Sequence, residues 1–561
     1  MTTLRSRGLG RVPYAEAADL QRALHTHTAD DYLLLLEHPH VYTLGTRADP
    51  AHVLVPPAQV GAELASADRG GDVTYHGPGQ LVGYPIVTLP AWRDDRADVV
   101  GYVRRLERVI VAVLEDFGIA ARPDDGYTGV WVGDEKIAAI GVKVAGRRTR
   151  HGFAINVDPD LAMFAHIVPC GIADRGVTSM AAQLGAAPPP AAVVDAVVAR
   201  FGAEFGYDAT DHQTVAPVAS PDRVTLSGDV SHLTSHARDS EPVRSEPVRL
   251  LGRLAAAGVE VPDADASFRR PEWMKVRADL GPSYRATKRL MRGLSLTTVC
   301  EEAGCPNIYE CWADRTATFM VLGERCTRAC GFCLVDTRHP LAPAADEPRR
   351  VADAVATLGL EHAVVTSVAR DDLPDGGAAH FAATIAAIRA RTPRTTIEVL
   401  IPDCKGDADA LAVILAARPD VVNHNLETVA RLQRAVRPNA GYARSLTVLA
   451  RAHAAGLVAK SGLIAGMGET DAEMRAAITD LRNVGVEILT VGQYLRPSPA
   501  HTPVVRWWTP DEFENLRTFA LDLGFTHVEC GPLVRSSYHA KRAVDTATAA
   551  SAPTVTPALP A

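Results

Sequence analysis

The chain has 561 residues, which is too long for one ordinary domain and indicates two to four. Its 47% hydrophobic and 22% charged residues are typical of a globular protein, and a net charge of −8 gives no reason to expect nucleic-acid binding. The sequence contains no run of 18 apolar residues, so it predicts no membrane span. Residues 1–20 resemble neither a secretory signal nor a transit peptide, and we therefore expect a cytoplasmic protein.

Residues 1–207 mix strand and helix patterns and predict a first domain. Residues 31–37 and 81–89 are short apolar runs ended by proline, which predict buried strands. Apolar residues fall on one helical face over residues 99–117 and predict a core helix. A hairpin is expected to turn at Gly133 and Asp134.

The segment from Arg69 to Gln80 is too rich in glycine for a strand interior and too polar for a core. Glycine lets the backbone come close to a ligand and adopt positive φ. A tight turn is the simpler explanation, but the glycines surround Arg69, Tyr75 and His76. This grouping favours a substrate-binding loop.

Cys170 stands in the sequence Pro-Cys-Gly-Ile, away from any second cysteine, so local spacing supports neither a disulfide nor a metal cluster. A thiol suits thioester exchange, because passing an acyl group from one sulfur to another is close to isoenergetic. An amine can then attack the enzyme thioester. A small buried core cysteine is the alternative.

The glycine-rich segment, together with the run Glu-His-Pro-His-Val-Tyr-Thr-Leu-Gly at 37–45, resembles the octanoyltransferases. These enzymes move an octanoyl group from acyl carrier protein to a lipoyl-carrier domain. The resemblance covers almost the whole domain and implies an α+β mixed-sheet fold of the biotin/lipoyl ligase-transferase type. It also implies Cys170 as nucleophile and Lys136 as its partner base. The substrate-binding residues that it implies are Arg69, Gly70, Gly71, Tyr75, His76, Gly77, Gly141, His151, Gly152 and Ala154.

A lysine that acts as a base near neutral pH needs burial or a cationic neighbour to lower its pKa by roughly 2–3 units. Arg69, His76, Lys143 and His151 are candidates for supplying that field or for binding the substrate, and the sequence does not choose among them. The main rival is a lipoate or biotin ligase, which shares the fold, uses ATP and does not need this cysteine.

Residues 208–249 are rich in Pro, Ser, Asp, Val and Thr and contain the tandem repeat Ser-Glu-Pro-Val-Arg at 240–244 and 245–249. This composition predicts a flexible linker. A coil of that length spans about 35 Å on average and gives the two ends an effective concentration up to roughly millimolar. A carrier domain that leaves one site would meet the second quickly.

Six of the nine cysteines form two triplets, and each triplet offers three thiolates to a metal. The first has the spacing C-x4-C-x5-C and the second C-x3-C-x2-C; they are Cys300, Cys305 and Cys311, and Cys326, Cys330 and Cys333. Structural zinc needs four ligands. The odd cysteine count and the missing secretory signal argue against disulfides, and the usual ferredoxin run is absent. A cubane cluster on three cysteines leaves one iron open.

The second triplet resembles the signature of radical S-adenosylmethionine enzymes, and the first resembles the auxiliary-cluster motif of lipoyl synthase. The similarity covers about the last 300 residues and continues through residues 370–377, 423–428, 493–498 and 531–539. It implies two [4Fe-4S] clusters and S-adenosyl-L-methionine as cofactors. The resemblance also implies that a deoxyadenosyl radical removes hydrogen from C6 and C8 of a bound octanoyl chain, and that the auxiliary cluster donates sulfur.

Further ligands and partners come from the same resemblance. A serine of the Arg-Ser-Ser-Tyr motif is expected to complete the auxiliary cluster, with Ser536 preferred over Ser537. Asn423, Glu427 and Lys460 are expected at or near strand ends, where they either contact S-adenosylmethionine or are polar residues of the barrel mouth without a ligand. The implied partners are octanoyl-acyl carrier protein, lipoyl-carrier domains (E2 subunits and the glycine cleavage H protein) and an electron donor such as ferredoxin or flavodoxin.

In the predicted domain at 250–542, strand and helix patterns alternate. Six strands are expected at 317–322, 363–367, 397–401, 421–424, 459–464 and 488–491. Capping boxes at Thr470 and Thr509 predict two helix starts. Six βα units, with a seventh left open, predict an incomplete (β/α) TIM-like barrel whose chemistry sits at the carboxyl ends of its strands. The tail at 543–561 is expected to be disordered.

Together these patterns predict an α/β multidomain, bifunctional lipoylation enzyme. Its first half would transfer octanoyl and its second half would insert two sulfur atoms. The competing interpretation is a non-catalytic iron–sulfur protein fused to an acyl-carrier-binding module or to an ATP-dependent lipoate ligase domain. That protein would hold clusters but would not cleave S-adenosylmethionine.

Overall fold

The computed structural model describes residues 1–92, 94–216, 246–261, 270–274, 282–293, 297–298 and 316–551. The chain divides into two compact units, Met1–Val215 and Ala216–Ala561. Within the described ranges, no helix has the length and apolar character needed to cross a membrane.

The described residues of the first unit form two sheets and four α-helices. Its strands are β1 (Thr3–Arg11), β2 (Asp31–Glu37), β3 (Val41–Leu44), β4 (Glu63–Ser66), β5 (Val73–His76), β6 (Gln80–Ile86), β7 (Arg122–Pro123), β8 (Val130–Val132), β9 (Glu135–Ala145), β10 (Arg148–Asn156), β11 (Gly176–Val177) and β12 (Ala209–Thr214). Its helices are α1 (Tyr14–His27), α2 (Val99–Asp116), α3 (Met180–Leu184) and α4 (Pro190–Phe205).

The large sheet has the order β12-β1-β2-β6-β10-β9-β8-β7, and β11 pairs with β9. It is mixed, because β1 pairs in parallel with β2 and β12 whereas β2, β6, β10 and β9 are joined by antiparallel pairs. Apolar residues of α2 and α4 pack on this sheet and form the core of the unit. The small sheet has the order β4-β3-β5. The predicted mixed-sheet fold is confirmed.

Local predictions in this unit are also confirmed. The strand Asp31–Glu37 and the helix Val99–Asp116 form where the apolar patterns placed them. The hairpin between β8 and β9 turns at Gly133, whose φ of 58° lies in the left-handed region that glycine adopts without strain.

The predicted start of the linker at residue 208 is wrong. Residues Ala209–Thr214 form β12 and continue the large sheet beside β1. The Arg7 guanidinium donates to the Asp211 carboxylate at 2.8 Å and adds a side-chain contact to that ladder. The strand is polar because it lies at the sheet edge, so its composition resembled that of a linker. Residues 217–245 lie outside the described residues, and the flexible tether stays a prediction there.

The second unit is built from alternating strands and helices. Its strands are β13 (Thr297–Thr298), β14 (Thr316–Val321), β15 (His362–Ser367), β16 (Thr396–Leu400), β17 (Val421–Asn423), β18 (Val458–Ala465), β19 (Ile488–Gln493) and β20 (His527–Gly531). Its described helices are α5 (Glu246–Ala256), α6 (Pro282–Gly293), α7 (Glu347–Leu358), α8 (Ala378–Arg391), α9 (Ala408–Ala416), α10 (Gln433–Val436), α11 (Tyr442–Ala454), α12 (Asp471–Asn483), α13 (Pro510–Asp522) and α14 (Ala540–Ser551).

Strands β14 to β20 pair in parallel and in chain order, and β13 adds an antiparallel strand before β14. β13 and β20 are the two ends of this order, so the barrel is open, as predicted. Apolar residues from β14–β17 and from the helices that flank them form a continuous core. The six expected strands are present, and β20 supplies a seventh parallel strand.

The capping boxes at Thr470 and Thr509 are confirmed, because each hydroxyl accepts from the N–H of the glutamate three residues on. Two boundaries differ from expectation. Helix α5 begins at Glu246, inside the predicted linker. Helix α14 extends to Ser551, so the expectation of disorder is wrong for residues 543–551; buried Ala543 and Val544 pack with strand residues Val421 and Ile488. Residues 552–561 lie outside the described residues.

Candidate functional sites

Cys170 lies in the one-turn 3₁₀ segment Pro169–Gly171 of the first unit, with its side chain half-buried. Its backbone is left-handed, with φ 57° and ψ 18°. This conformation costs an ordinary L-residue roughly 1–2 kcal/mol, and such strain is concentrated at functional sites. The Val168 N–H donates to the His52 carbonyl at 2.8 Å and holds the turn from outside.

The position that follows Cys170 requires glycine, which is Gly171. Its φ is +72°, and a Cβ atom there would lie 2.9 Å from Asp72 Oδ2. The same carboxylate oxygen accepts from His52 Nδ1 at 2.5 Å. The sequence analysis did not single out His52 or Asp72 as functional residues. Asp72 lies inside the glycine-rich segment, but no sequence pattern connects it with His52.

Lys136 is the second residue of β9, and only 7% of its surface is exposed. Its Nζ lies 4.8 Å from the centroid of the Trp131 ring. Among the described residues, no carboxylate pairs with this amine. Its position in β9 thus buries the amine beside an aromatic face.

The segment after Cys170 leads directly to Lys136. Val177 of β11 pairs in parallel with Lys136, and the Thr178 N–H donates to the Lys136 carbonyl at 3.0 Å. On the other side of the turn, the 3₁₀ segment packs against β5, which carries His76. The structure therefore brings the neighbourhoods of Cys170, Lys136 and His76 together around one part of the first unit.

Arg69 is buried, and its guanidinium is engaged by the protein. It donates to the Thr43 carbonyl and hydroxyl at 2.8 Å each and to the Asp72 carbonyl at 2.9 Å. Burial lowers the pKa of Arg69, and the negatively charged Asp72 nearby is among the groups that oppose that shift. Arg69 thus shapes the glycine-rich segment and places positive charge near the cysteine. A Cβ on Gly141 would lie 3.0 Å from Arg69 Cδ.

The two histidines among the predicted substrate-binding residues are both buried. His151, at φ 56°, is paired through Nε2 with Asp68 at 2.8 Å, and burial lowers its pKa. Burial also lowers the pKa of His76 well below its usual value. Tyr75 is hydrogen-bonded to His40 Nδ1 at 2.7 Å.

The small residues predicted to bind substrate have identifiable backbone surroundings. Gly70 donates to the Val142 carbonyl at 3.0 Å. A side chain at Gly152 would lie 2.3 Å from the Gly83 carbonyl, which makes glycine necessary where β10 meets β6. Ala154 pairs with Val82 in the same ladder. Gly71 has φ 94° and stands in the turn before β5.

In the second unit, Cys326, Cys330 and Cys333 lie in the loop after β14, at the carboxyl edge of the sheet. The loop is closed by the Cys326 N–H, which donates to the Asp336 carbonyl at 2.8 Å. Burial raises the pKa of the Cys330 thiol and raises that of Cys333 to about 12, and the neighbouring cysteines add to both shifts. Cys300, Cys305 and Cys311 lie outside the described residues.

A buried ion-pair cluster holds this loop. Arg328 donates to both oxygens of Asp371 at 2.7 and 2.8 Å and to Asp403 Oδ1 at 2.6 Å. The Ala369 N–H points at Cys326 Sγ, 3.3 Å away. His501 Nε2 donates to the Cys333 carbonyl at 2.9 Å. Sequence reasoning missed these supports, because the loops that supply them are far apart in the chain.

The three expected S-adenosylmethionine contacts are in different surroundings. Asn423 ends β17 as expected, and its Nδ2 donates to Glu398 at 2.9 Å while its Oδ1 is buried without a partner among the described residues. Glu427 follows in the next loop, at φ 68°, and burial raises its pKa. Lys460 is the third residue of the eight-residue β18, where it lies level with Asn423 in the parallel ladder, and its amine pairs with the fully buried Glu398.

Ser536, the preferred ligand of the auxiliary cluster, accepts a hydrogen bond from Asn425 Nδ2 at 2.7 Å. Ser537 is half-buried in the turn that leads to α14, and its carbonyl accepts from the Ala540 N–H. The loop with Ser536 follows β20 and thus begins at the same edge of the sheet as the Cys326 loop.

The donor set of the Cys326 loop suits a [4Fe-4S] cluster. Three soft sulfur donors lie on a loop held on several sides, and none is engaged in a disulfide. No three His, Cys, Asp or Glu side chains converge on a metal-sized point within the described ranges. The assignment of this loop therefore depends on the kind and spacing of its donors.

An open parallel barrel with a three-cysteine loop after its first parallel strand defines a radical S-adenosylmethionine protein, and the model of the Radical SAM superfamily matches residues 320–481. The model of the N-terminal domain of lipoyl synthase matches residues 257–305. Lipoyl synthase of Rubrobacter xylanophilus is 58% identical over 273 residues, which are 48% of this chain and 85% of that protein. Lipoyl synthase of Mycobacterium avium is 54% identical over 285 residues, which are 51% of this chain and 93% of that protein. The chain belongs to the lipoyl synthase family.

The first unit is additional to those relatives. The model of the lipoyl protein ligase A/B catalytic domain matches residues 13–202. A solved structure described as a putative lipoate protein ligase from T. acidophilum is 18% identical, with a TM-score of 0.32, and the match covers 38% of this chain and 88% of that one. The family models of the two halves together identify the chain as a fusion of a ligase- or transferase-type domain with a lipoyl synthase.

Proposed function

We propose that the chain is a bifunctional protein-lipoylation enzyme. Its first unit transfers octanoyl from acyl carrier protein to a lysine of a lipoyl-carrier domain through a thioester on Cys170. Its second unit then inserts sulfur at C6 and C8 of the attached chain. The carriers are E2 subunits and the glycine cleavage H protein, and ferredoxin or flavodoxin supplies electrons.

The observation that supports the first activity is the buried amine of Lys136, which has no carboxylate partner in the part of the chain that the structure describes and lies in the same neighbourhood as the strained Cys170 turn. A ligase that activates a free acid with ATP has no need of a base beside a thiol. A thiol that forms a thioester does need one, because the thiolate and not the thiol attacks.

Both half-reactions balance with these two groups. Lys136 takes the Cys170 proton, and the thiolate attacks the donor thioester. A C–S bond to Cys170 forms, and the C–S bond to the acyl carrier breaks. The proton then passes from Lys136 to the departing carrier thiolate. In the second half the carrier lysine amine attacks the enzyme thioester. A C–N bond forms, the C–S bond to Cys170 breaks, and the amine proton passes through Lys136 to the Cys170 thiolate.

Membership of the lipoyl synthase family implies [4Fe-4S] clusters and S-adenosylmethionine in the second unit. Cys326, Cys330 and Cys333 would hold one cluster, and Ser536 is proposed to join the first cysteine triplet on the other. When bound, these groups supply the one-electron cleavage and the sulfur. Asn423 and Glu427 are proposed to contact S-adenosylmethionine. Lys460 is not proposed as a contact of S-adenosylmethionine, because Glu398 engages its amine inside the barrel.

Intact mass spectrometry of a lipoyl-carrier domain tests both halves. The domain is incubated anaerobically with the reconstituted full chain, octanoyl-acyl carrier protein, S-adenosylmethionine and a strong reductant. An octanoyl adduct that gains two sulfur atoms is expected. Transfer that requires ATP and free octanoate would overturn the transferase assignment. A pre-octanoylated carrier that gains no sulfur, with both clusters present, would overturn the second assignment.

A further inference from the structure

Four buried polar residues of the first unit form a continuous hydrogen-bonded chain. Asn156 Nδ2 donates to the Thr178 carbonyl at 2.9 Å. Gln80 Nε2 donates to Asn156 Oδ1 at 2.9 Å, and Gln80 Oε1 lies 2.7 Å from His76 Nδ1. These four residues are each at most 6% exposed. The Thr178 N–H donates in turn to the Lys136 carbonyl, so the chain ends at the strand of the proposed base.

The direction of every hydrogen bond follows from the Thr178 carbonyl. A carbonyl oxygen only accepts, so the Asn156 amide must turn its nitrogen toward it and its oxygen toward Gln80. Gln80 must then present its nitrogen to Asn156 and its oxygen to His76. Gln80 Nε2 also lies 3.3 Å from the Tyr75 carbonyl, a longer and weaker hydrogen bond that favours the same orientation but does not replace the one to Asn156. His76 Nδ1 therefore carries the hydrogen.

The other ring nitrogen of His76 is left with a lone pair. Among the described residues, none hydrogen-bonds to His76 Nε2. Deep burial opposes a second proton on the ring and lowers the pKa of His76 well below its usual value. His76 is the last residue of β5, the strand that packs against the Cys170 turn.

We propose that Gln80 and Asn156 are positioning residues that fix His76 as a neutral imidazole with a free acceptor at Nε2. The group that it accepts from is an N–H of the primary amine that attacks the acyl thioester. This contact with the amine depends on the proposed octanoyl transfer. In the step itself, His76 receives a hydrogen bond and no proton: the amine nitrogen forms the C–N bond, the C–S bond to Cys170 breaks, and Lys136 conveys the amine proton to sulfur.

The chemistry explains why the tautomer matters. An acceptor orients the amine with its lone pair toward the carbonyl carbon, whereas an N–H at the same place would repel the amine hydrogens. An acyl carrier thioester has no N–H at its reacting atoms. The arrangement is thus specific for the second half-reaction and for a nucleophile with at least two hydrogens on nitrogen.

The tautomer can be measured without activity. The full chain, labelled with ¹⁵N histidine, is studied by two-bond ¹H–¹⁵N correlation, and the signal of His76 among the 19 histidines is identified by its loss in His76→Asn. A neutral ring protonated at Nδ1 is expected at pH 7. A ring protonated at Nε2, or at both nitrogens, would overturn the proposal.

Variants at Asn156 test the positioning, because Asn156 does not touch His76. Asn156→Leu frees the Gln80 amide to turn over, so both tautomers are expected. Asn156→Asp keeps an oxygen toward Gln80 Nε2 and is expected to keep the wild-type tautomer, which provides a second variant if the leucine form does not fold. The matched control is Gln59→Glu at an exposed glutamine. A tautomer that is unchanged in folded Asn156→Leu removes Asn156 from this role.

Single-turnover kinetics test the amine. In Asn156→Leu, octanoyl-Cys170 is expected to form within about twofold of the wild-type rate, and its transfer to the carrier lysine is expected to slow about tenfold, the value of one hydrogen bond near the upper end of its range. Equal slowing of both halves would indicate a merely structural role. If the wild-type chain forms no acyl-enzyme, both the proposed octanoyl transfer and the proposed hydrogen bond from the amine to His76 are wrong. The NMR result still decides whether Gln80 and Asn156 set the tautomer of His76.

Discussion

Lys460 and Glu398 form a buried ion pair at 2.9 Å in the barrel of the second unit, and neither side chain reaches solvent. Asn423 and His362 complete the surroundings of the carboxylate, at 2.9 and 3.7 Å. A lysine that the sequence pointed toward a ligand is thus engaged inside the protein, whereas Lys136 of the first unit is buried without a carboxylate partner among the described residues.

Removing one partner of this pair is expected to destabilise the second unit. Lys460→Met leaves the Glu398 carboxylate buried and uncompensated, which typically costs about 3–5 kcal/mol. The double change Lys460→Met with Glu398→Leu should recover most of that loss. Thermal unfolding of the full chain gives the measurement, with Lys541→Met in the surface pair with Glu361 as a control expected to lose at most about 1 kcal/mol. Equal losses of thermal stability in Lys460→Met and in the control would contradict the expectation.

The same pair predicts a loss of stability in acid. Burial alone would raise the pKa of Glu398, but Lys460 and His362 outweigh it and hold the pKa below its ordinary value. A carboxyl whose pKa is depressed by folding contributes its full stability above the unfolded value of about 4.3, and loses it as the pH falls further. Unfolding free energy measured by urea between pH 6 and pH 3 should decline in the wild type. The double variant should show a shallower decline.

Cys170→Ser and Lys136→Met are expected to act on different events. Replacing the proposed nucleophile should reduce octanoyl transfer on the order of 10³-fold or more and abolish the trapped thioester. Replacing the proposed base should slow thioester formation by roughly 10²- to 10⁴-fold while the thioester, once formed, is still detected by mass. Wild-type transfer by Cys170→Ser would refute the covalent route. Arg122→Met, which removes an exposed cation on β7, is the control.

Gly171→Ala should impair acyl-enzyme formation beyond its effect on stability. The new methyl group meets the Asp72 carboxylate at 2.9 Å as well as adopting an unfavourable φ of +72°. Gly118→Ala supplies the comparison, since Gly118 has φ +79° with no atom within 4 Å of the added carbon. Both should lose about 1 kcal/mol from backbone strain. Only Gly171→Ala should slow thioester formation, and equal rates in the two variants would show that the close contact is unimportant.

Arg328→Met should weaken the loop that carries the second cysteine triplet. It leaves Asp403 buried without its cation, beside the residues that hold Cys326. A loss of about 3–5 kcal/mol in stability is expected, together with lower iron and sulfide content after reconstitution. Arg349→Met removes a largely exposed arginine and is the control. Full cluster content in folded Arg328→Met would exclude a role for the ion-pair cluster in holding the loop.

Periodic patterns were sufficient to predict the main elements of both units. The strand at Asp31–Glu37, the helix at Val99–Asp116 and the six barrel strands bury continuous apolar faces, and burial of that kind leaves a regular trace in the sequence. The two capping boxes are similarly local, because each joins residues three apart.

Contacts between distant segments were not predictable from such patterns. His52 and Asp72 meet across twenty residues, and Arg328 reaches Asp403 across seventy-five. The ion pair of Lys460 is a related case: the sequence indicates that a lysine is near a strand, but only the folded sheet shows that its amine meets Glu398, sixty-two residues away. Pairing partners, and not residue types, decide these roles.

The polar edge strand β12 determines where the first unit can be cut. Its six residues pair along β1 from Thr3 to Gly8, so a truncation at residue 207 removes the neighbour of the chain's first strand. An uncovered strand edge is a template for pairing with other molecules. An isolated fragment of the first unit that ends at 207 would therefore be prone to aggregate, and a fragment that extends through Thr214 would keep its own edge strand.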